Sequence, residues 1–270
     1  MGRFHPHDHD DHRRHDHDDH DESHEGHESH ESHEGHDHDS RHELGDHTGY
    51  ETGGLRVDVL EKILDENDRI AAENRAAFRG AGVRVVNVMS SPGAGKTALL
   101  ARVFSLAEGT TRFGVIEGDI ETSIDADRLA ATGVAVSLIN TANGFGGECH
   151  LDAPMVRSAL PRLRLDDLDV VVIENVGNLV CPAEFDVGED ARLMVFSVTE
   201  GEDKPLKYPV MFRSADAISV NKIDLLPHLE FDMGVFLANV QAVNPGVTIF
   251  HTSARTGEGL EPVLAWLRGR

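Results

Sequence analysis

Cysteine is scarce in this chain, which has only two cysteines, Cys149 and Cys181, in 270 residues. Two cysteines, one of them beside a histidine, are not typical of a protein held together by disulfides, so a reducing setting is expected. Long apolar runs are also missing, since no stretch approaches the roughly 18 residues needed to span a bilayer. The N-terminus has no apolar core like that of a signal peptide. We therefore expect a cytoplasmic protein without a membrane-spanning segment.

Positive charge is the next deficit, because 25 lysines and arginines face 48 aspartates and glutamates, for a formal net charge of −23. The first 47 residues carry 16 carboxylates against four arginines, and the remainder is acidic as well. No basic stripe is present that would contact a phosphate backbone. The composition therefore argues against nucleic acid or an anionic membrane surface as the main partner.

Histidine is concentrated in the first 47 residues, which hold 15 of the 18 histidines. Between Gly2 and Asp46 the only large apolar residues are Phe4 and Leu44, so residues 1–50 are predicted to form a disordered tail. Neutral imidazole binds nickel, copper, zinc and cobalt, which favours a metal-binding tail over a merely solvated acidic one. The predicted tail ligands are His5, His7, His9, His12, His15, His17, His20, His24, His27, His30, His33, His36, His38, His42 and His47.

Residues 51–270 show the patterns of an α/β protein. Apolar residues recur at helical spacing from Leu55 to about Phe78, so residues 51–82 are predicted to be an amphipathic helix and linker. Strand and helix patterns then alternate over residues 83–270, which predicts a three-layer domain with a mostly parallel sheet. The predicted strands are Val83–Met89, Phe113–Ile116, Val134–Ile139, Val170–Ile173, Leu193–Val198, Ala217–Val220 and Val247–His251. The predicted helices are Lys96–Leu106, Ile124–Ala131, Pro154–Leu163, Asp232–Val243 and Leu260–Leu267.

A glycine-rich segment, Ser90–Thr97, lies between the first predicted strand and a helix. It departs from the pattern G-x-x-x-x-G-K-[ST] only at its first position, where Ser90 replaces glycine. Its backbone amides and the helix N-terminus favour phosphate, with Lys96 reaching the β- and γ-phosphates and Thr97 binding Mg²⁺. The predicted phosphate-binding residues are Gly93, Ala94, Gly95, Lys96 and Thr97.

A second motif predicts the base. Asn221, Lys222 and Asp224 form an N-K-x-D pattern after a predicted strand, and a carboxylate at Asp224 matches the two N–H donors of guanine. Ser253 and Ala254, after the last predicted strand, resemble the loop that backs the base in GTPases. The sequence therefore predicts GTP in preference to ATP.

The residues for hydrolysis are less clearly marked. The chain has one glutamine, Gln241, in a predicted helix far from the phosphate loop, so a water-positioning glutamine is not expected. We predict Lys96, Thr97, Asp119 and Glu174 as catalytic residues, with Asp119 in the Mg²⁺ shell or on the attacking water. Glu121 and Asp125 are further candidates, and the alternative is that this acidic loop is simply solvated. No arginine finger is evident, which predicts slow intrinsic turnover.

Cys149, His150 and Cys181 are candidate ligands for a metal ion. Thiolate and imidazole ligands together suit zinc or nickel. Three ligands are one short of a closed tetrahedral site, which a second subunit would complete. The alternative is two unrelated loop cysteines.

Five segments together resemble the HypB family, the SIMIBI-class P-loop GTPases that insert nickel during maturation of nickel–iron hydrogenase. They are Ser90–Thr97, Glu117–Asp119, Glu148–Asp152, Glu174–Ala183 and Asn221–Asp224, and the resemblance extends from about Leu55 to the C-terminus. It implies a cytoplasmic GTPase that dimerises with nucleotide and delivers nickel to the precursor of the hydrogenase large subunit. It also implies a zinc-containing HypA chaperone as partner, and a metal site at Cys149, His150 and Cys181 near the dimer interface.

One feature departs from the family pattern. Some members carry an N-terminal C-x-x-C-G-C nickel site, but this chain has no cysteine before Cys149. The histidine-rich tail stands in its place, which predicts a nickel reservoir.

Two other functions fit part of the sequence. The urease nickel GTPase UreG has a similar fold and tail, but its metal motif is Cys-Pro-His, whereas Cys149 and His150 are adjacent and Cys181 is additional. A metal-storage protein would need only the tail. Coupling between nucleotide state and metal affinity would distinguish delivery from storage.

Overall fold

The structure, a computed structural model, describes residues 54–119, 124–141 and 149–269, except for the side chains of residues 54–61 and 119. The predicted tail and its 15 histidines lie outside the described residues. Within the described part, no helix is both long enough and apolar enough to cross a membrane.

The central feature is a sheet of seven strands, ordered β3-β2-β4-β1-β5-β6-β7, in which every pairing is parallel. The strands are β1 Arg84–Ser90, β2 Phe113–Asp119, β3 Ala135–Asn140, β4 Val170–Glu174, β5 Ala191–Ser197, β6 Ala217–Asn221 and β7 Thr248–His251. The flanking helices are α1 Gly54–Gly80, α2 Lys96–Leu106, α3 Ile124–Ala130, α4 Ala153–Ala159, α5 Lys204–Lys207, α6 Pro209–Ser214, α7 Met233–Val243 and α8 Leu260–Leu267. The predicted α/β class with a parallel sheet is confirmed.

Three layers follow from the alternation of side chains along each buried strand. Val86 and Val88 of β1 contact a core formed with α2, α3 and α8. Val85 faces the opposite side, toward a core formed with α1 and α4, and Met89 packs on that side against residues of α6 and α7. Because the central strands are buried on both faces, their sequences are almost continuously apolar.

The order of the strands determines where a ligand can bind. From β1 the chain crosses to β2, and it later crosses from β4 over β1 to β5, so the direction of winding changes beside β1. In open parallel sheets, ligands bind beyond the carboxyl ends of the strands at such a point. The segments after β1, β4 and β6 lie at this edge, and β2 ends there.

Strand β2 differs from its prediction. It continues through Glu117 and Gly118 to Asp119, which the sequence suggested were part of an acidic loop. Asp119 pairs with Asn140 of β3, and Glu117 pairs with Glu174 of β4. Polar residues at the end of a buried strand do not continue the apolar pattern, and this explains the error.

Proline accounts for most of the differences among the helices. The helix predicted over Pro154–Leu163 ends at Ala159 and continues only as a 3₁₀ turn, Leu160–Arg162. Pro161 lacks an N–H and disfavours the α conformation in the preceding residue. Two short helices, α5 and α6, were not predicted, and each has a proline in its first turn.

Helix α1 is attached to the domain through polar as well as apolar residues. Ala71 and Phe78 of the predicted amphipathic helix are buried, whereas its apolar residues Ile63 and Leu64 are exposed. The buried face also carries Asn67, whose Nδ2 donates to the carbonyl of Asp186 at 2.9 Å. Among the side chains of α1 that the structure describes, those that pack against the domain therefore begin at Asn67.

Candidate functional site

The loop between β1 and α2 has the form expected of a phosphate-binding loop. Gly95 precedes α2 with φ +93°, a conformation that favours glycine. A Cβ atom at Gly95 would lie 2.7 Å from Asn221 Nδ2, so glycine is required by space as well as by conformation. The backbone amides at the start of α2 point out of the helix, which suits an anion.

Two adjoining cavities, together called the cleft, follow this loop. A cavity of about 220 Å³ is lined by the loop, by Lys96 and Thr97, and by Asp125 and Arg128 of α3. A second cavity of about 300 Å³ is lined by Asn221, Lys222, Asp224, Ala254 and neighbouring residues. The two cavities share Gly95 and Ala98, so the predicted phosphate and base residues lie along one cleft.

The N-K-x-D residues are hydrogen-bonded to the phosphate loop. Asn221 Nδ2 donates to the carbonyl of Ala94 at 2.9 Å, and Lys222 Nζ donates to the carbonyl of Gly93 at 2.7 Å. Lys222 adopts φ +63°, the only positive φ outside glycine among the described residues. The segment that carries Asp224, the predicted guanine-binding residue, is thereby fixed relative to the predicted phosphate-binding loop.

Asp224 is oriented by the loop after β7. Ser253 Oγ donates to Asp224 Oδ1 at 2.6 Å, and the amide of Ala254 donates to Asn221 Oδ1 at 3.1 Å. Arg255 Nη1 lies 3.7 Å from Asp224 Oδ2. The carboxylate is thus held at the wall of the second cavity, where it can accept from two donors on one edge of a base.

Glu174 contacts the phosphate loop from the end of β4. Thr97 Oγ1 donates to Glu174 Oε1 at 2.6 Å, and Lys96 Nζ lies 3.8 Å from the same oxygen. Glu174 is only 3% exposed, so its charge is compensated by these neighbours. The oxygens of Thr97 and Glu174 are of the kind that Mg²⁺ prefers.

The other acidic candidates are less well defined. Asp119 ends β2 at the same edge of the sheet, but its side chain is not described, and Glu121 lies outside the described residues. Asp125 lines the phosphate cavity and accepts from Arg128 Nη1 at 3.2 Å. Arg128 was not predicted as a site residue, since the spacing indicates only an ordinary helical ion pair.

The structure brings the predicted metal ligands together. The ligand atoms of Cys149, His150 and Cys181 lie within 4.8 Å of one another, and this is the only such group found among the described residues. The Cys149 and Cys181 Sγ atoms share a hydrogen bond at 2.9 Å, and Cys149 Sγ lies 3.7 Å from His150 Nδ1. The His150 ring packs on Phe185 with a centroid separation of 4.1 Å. Both cysteines are free thiols.

These ligands suit a soft or borderline ion, with two sulfurs and one imidazole nitrogen. The hydrogen bond shared between the Cys149 and Cys181 sulfurs keeps its proton on Cys181 and, together with burial, raises the pKa of the Cys181 thiol to about 11. At neutral pH without metal this thiol is therefore protonated. Because thiolate is the form that binds metal, binding must release its proton and should strengthen as pH rises.

The loop that carries Cys149 and His150 is held at its far end. The amide of Leu151 donates to Asn175 Oδ1 at 2.9 Å, and the amide of Ala153 donates to Asn67 Oδ1 at 2.9 Å. Leu151 is fully buried against Gly118, where a Cβ atom would lie 2.7 Å from its side chain. Asp152 caps α4 by accepting from the amide of Met155 at 2.8 Å.

One segment connects the two sites. It starts at Glu174, beside Thr97, and reaches Cys181 seven positions later. Gly177 lies against the phosphate loop, because a Cβ atom there would be 3.1 Å from the Pro92 Cα atom. The sequence indicated this segment as a whole but not the individual contacts of Asn175 and Gly177.

Comparison with known proteins agrees with this geometry. Residues 84–251 match the family described as "CobW/HypB/UreG, nucleotide-binding domain", which spans the sheet from β1 to β7. The hydrogenase maturation factor HypB of Azotobacter vinelandii is 53% identical over 215 residues, covering 79% of this chain and 68% of that protein.

Two solved structures are similar along most of the chain. The crystal structure of HypB from Archaeoglobus fulgidus is 38% identical with a TM-score of 0.69, covering 76% of this chain and 98% of that one. The structure of HypB from Helicobacter pylori in complex with nickel is 38% identical with a TM-score of 0.70, covering 75% and 93%. The family description includes UreG, but these three relatives are HypB proteins. The resemblance found in the sequence is confirmed, and this chain belongs to the HypB family of hydrogenase maturation factors.

Proposed function

We propose that this protein is a GTP-hydrolysing nickel metallochaperone that stores nickel and delivers it to the precursor of the nickel–iron hydrogenase large subunit. The observation that carries the proposal is the connection between the two sites. Glu174 accepts from Thr97 in the phosphate loop, and the segment that it begins ends at Cys181, beside Cys149 and His150. A nucleotide and a metal ion can therefore influence one another.

The nucleotide chemistry is assigned to the cleft. The amides around Gly93, Ala94 and Gly95 hold phosphates, Lys96 neutralises their charge, and Thr97 and Glu174 supply oxygens near Mg²⁺. The Asp224 carboxylate selects guanine, with Asn221, Lys222, Ser253 and Ala254 holding it in place. Asp119 remains the proposed residue for the Mg²⁺ shell or the attacking water. Slow turnover is expected without a partner, because no glutamine that could position the attacking water lines the described part of the cleft.

The metal chemistry is assigned to two regions. Cys149, His150 and Cys181 hold the nickel ion that is delivered, and zinc competes for the same ligands. The histidines of residues 5–47 hold a reserve of nickel. A homodimer formed with GTP, a HypA-like chaperone and the hydrogenase precursor are the proposed partners, in the cytoplasm.

The proposal predicts that nucleotide state changes the affinity of the cysteine–histidine cluster for nickel. Nickel would be titrated into the protein bound to GDP and to a non-hydrolysable GTP analogue, in competition with a chelator. The absorption of nickel–thiolate bonds reports the cluster alone, since the tail has no cysteine. We expect the two affinities to differ by about fivefold or more, as is usual for coupled sites. Equal affinities would remove the delivery function and favour storage.

Deleting residues 5–47 should lower the number of nickel ions bound while leaving GTP hydrolysis within about twofold of wild type. The reason is that 15 of the 18 histidines lie in this segment, whereas the cleft is built from residues of the domain. Nickel content by mass spectrometry and phosphate release measure the two effects. A truncated protein without GTPase activity would show that the tail takes part in hydrolysis.

A further inference from the structure

We propose that Asn175 is a positioning residue that transmits the state of the nucleotide cleft to the cysteine–histidine cluster. This inference rests on the proposed function, because it requires both a nucleotide and a metal ion. It adds the side chain through which the two sites communicate.

Asn175 and Glu174 face opposite sides of the sheet. Val170 and Val172 of β4 pack on the side of α2, and Val171 and Ile173 pack on the side of α1 and α4. The alternation places Glu174 on the side of the phosphate loop. It places Asn175 on the side of the loop that carries Cys149 and His150, which we call the metal loop. The amide of Asn175 still donates to the carbonyl of Val88 at 3.0 Å, so the alternation continues through this residue.

The side chain of Asn175 is buried and hydrogen-bonded to the metal loop. It is 1% exposed, and its Oδ1 atom accepts from the amides of Leu151 at 2.9 Å and Val176 at 3.0 Å. Its Nδ2 atom donates to Asn87 Oδ1 at 3.3 Å, which ties it to β1 just before the phosphate loop. Leu151 directly follows His150, so a shift at the end of β4 is passed to a metal ligand through one hydrogen bond.

A second anchor holds the metal loop to α1. Asn67 and Asn74 of α1 bind the amide and the carbonyl of Ala153, at 2.9 Å each. Cys149 and His150 therefore precede one point fixed on α1 and one point fixed on β4. When nucleotide binding shifts Thr97 and Glu174, Asn175 moves with the end of β4 and changes the position of His150. Ala153 stays in place because it is bound to α1. Cys181 moves with the same strand through the backbone, so the geometry of all three ligands changes together.

The test compares nickel affinity with a GTP analogue and with GDP in full-length variants, using nickel–thiolate absorption as the readout. We expect a wild-type ratio of about fivefold or more, and a ratio for Asn175→Ala that is at least about twofold closer to one, because only the backbone path to Cys181 remains. Asn175→Asp keeps the acceptor oxygens, and Asn87 can turn to donate its Nδ2 atom, which has no hydrogen-bond partner among the described residues. This variant should restore the ratio.

Two further variants separate positioning from stability. Asn175→Ser is too short to reach the amide of Leu151 and replaces the alanine variant if that protein does not fold. Asn244→Ala is the matched control, because the side chain of Asn244, at the end of α7, likewise makes two hydrogen bonds to the backbone, with Nδ2 donating to the carbonyls of Phe212 and Ala215. We expect it to retain the wild-type ratio.

The outcomes distinguish this inference from the proposed function. A wild-type ratio near one would contradict the coupling on which both depend. A clear wild-type ratio that persists in Asn175→Ala and Asn175→Ser would overturn the role of Asn175 alone. An equal loss in Asn244→Ala would also overturn it, since reduced stability would then explain the result.

Discussion

Substituting Lys96 by alanine is expected to reduce GTP turnover by at least about a hundredfold, the usual loss when one preorganised charge-stabilising group is removed from a phosphoryl-transfer site. Lys96 is the first residue of α2, lines the phosphate cavity and lies 3.8 Å from the buried carboxylate of Glu174. Its removal takes away the ammonium group that faces both the proposed phosphate site and the Glu174 carboxylate. Phosphate release under saturating GTP measures the effect on turnover.

The matched control is Lys207→Ala. Lys207 is an exposed lysine of α5 that forms an ion pair with Asp203 at 2.5 Å, and exposed pairs contribute little to stability. Its turnover should remain close to wild type. The amount of nickel bound by the tail is expected to be the same in both variants, because neither Lys96 nor Lys207 lies in the tail.

The same variant also tests the delivery function. Hydrogenase maturation in cells that depend on this protein should fail with Lys96→Ala and proceed with Lys207→Ala. Turnover of the alanine variant within threefold of wild type would contradict the assignment of the phosphate loop. Normal maturation despite lost turnover would show that delivery does not need hydrolysis.

Much of the fold could be predicted because the signals are local. All five residues of β4 are buried on a sheet covered on both faces, and the first four, Val170–Ile173, form an unbroken apolar run. The sequence is less informative where pairing with a distant element decides the structure. Glu117 and Gly118 extend β2 because Asp119 pairs with Asn140 of β3, a contact that no local pattern reveals.

The site shows the same division. The phosphate loop and the N-K-x-D motif were identified because their residues are contiguous, and the structure adds that Asn221 and Lys222 bind the phosphate loop directly. Asn67 and Asn175 were missed. Asn67 meets Ala153, 86 positions away, and a lone asparagine in a helix or at a strand end has no distinguishing spacing. A buried polar residue is informative only once its partners are known.

The second large effect is expected at the cysteine–histidine cluster, where Cys181→Ser should abolish the nickel–thiolate absorption of the full-length protein at micromolar nickel. Removing the hydrogen-bond partners of metal ligands already costs about 10–100-fold in affinity, and losing one of three ligands should cost at least as much. We expect the tail to bind nickel in this variant too, but through imidazole and carboxylate alone, because it has no cysteine. The loss of absorption is therefore specific to the cluster.

Thermal unfolding gives an independent measure of the same loss. An ion that binds the folded cluster stabilises it by about 2.7 kcal/mol at a concentration one hundred times its Kd. Nickel should therefore raise the midpoint of wild type more than that of Cys181→Ser, while the two metal-free proteins unfold at similar temperatures, because Cys181 is only half-buried and serine is similar in size.

His150→Ala and His228→Ala form a matched pair for the imidazole ligand. His150 lies 3.7 Å from Cys149 Sγ, whereas His228 is exposed and belongs to the 3₁₀ segment Ile223–His228 after β6. The first substitution should weaken nickel binding at the cluster by about tenfold or more, and the second should leave it at the wild-type value. Equal effects of the two would assign the change to something other than ligation.

Retention of the thiolate absorption in Cys181→Ser would leave Cys149 as the only sulfur ligand and would require the cluster to be redrawn without Cys181.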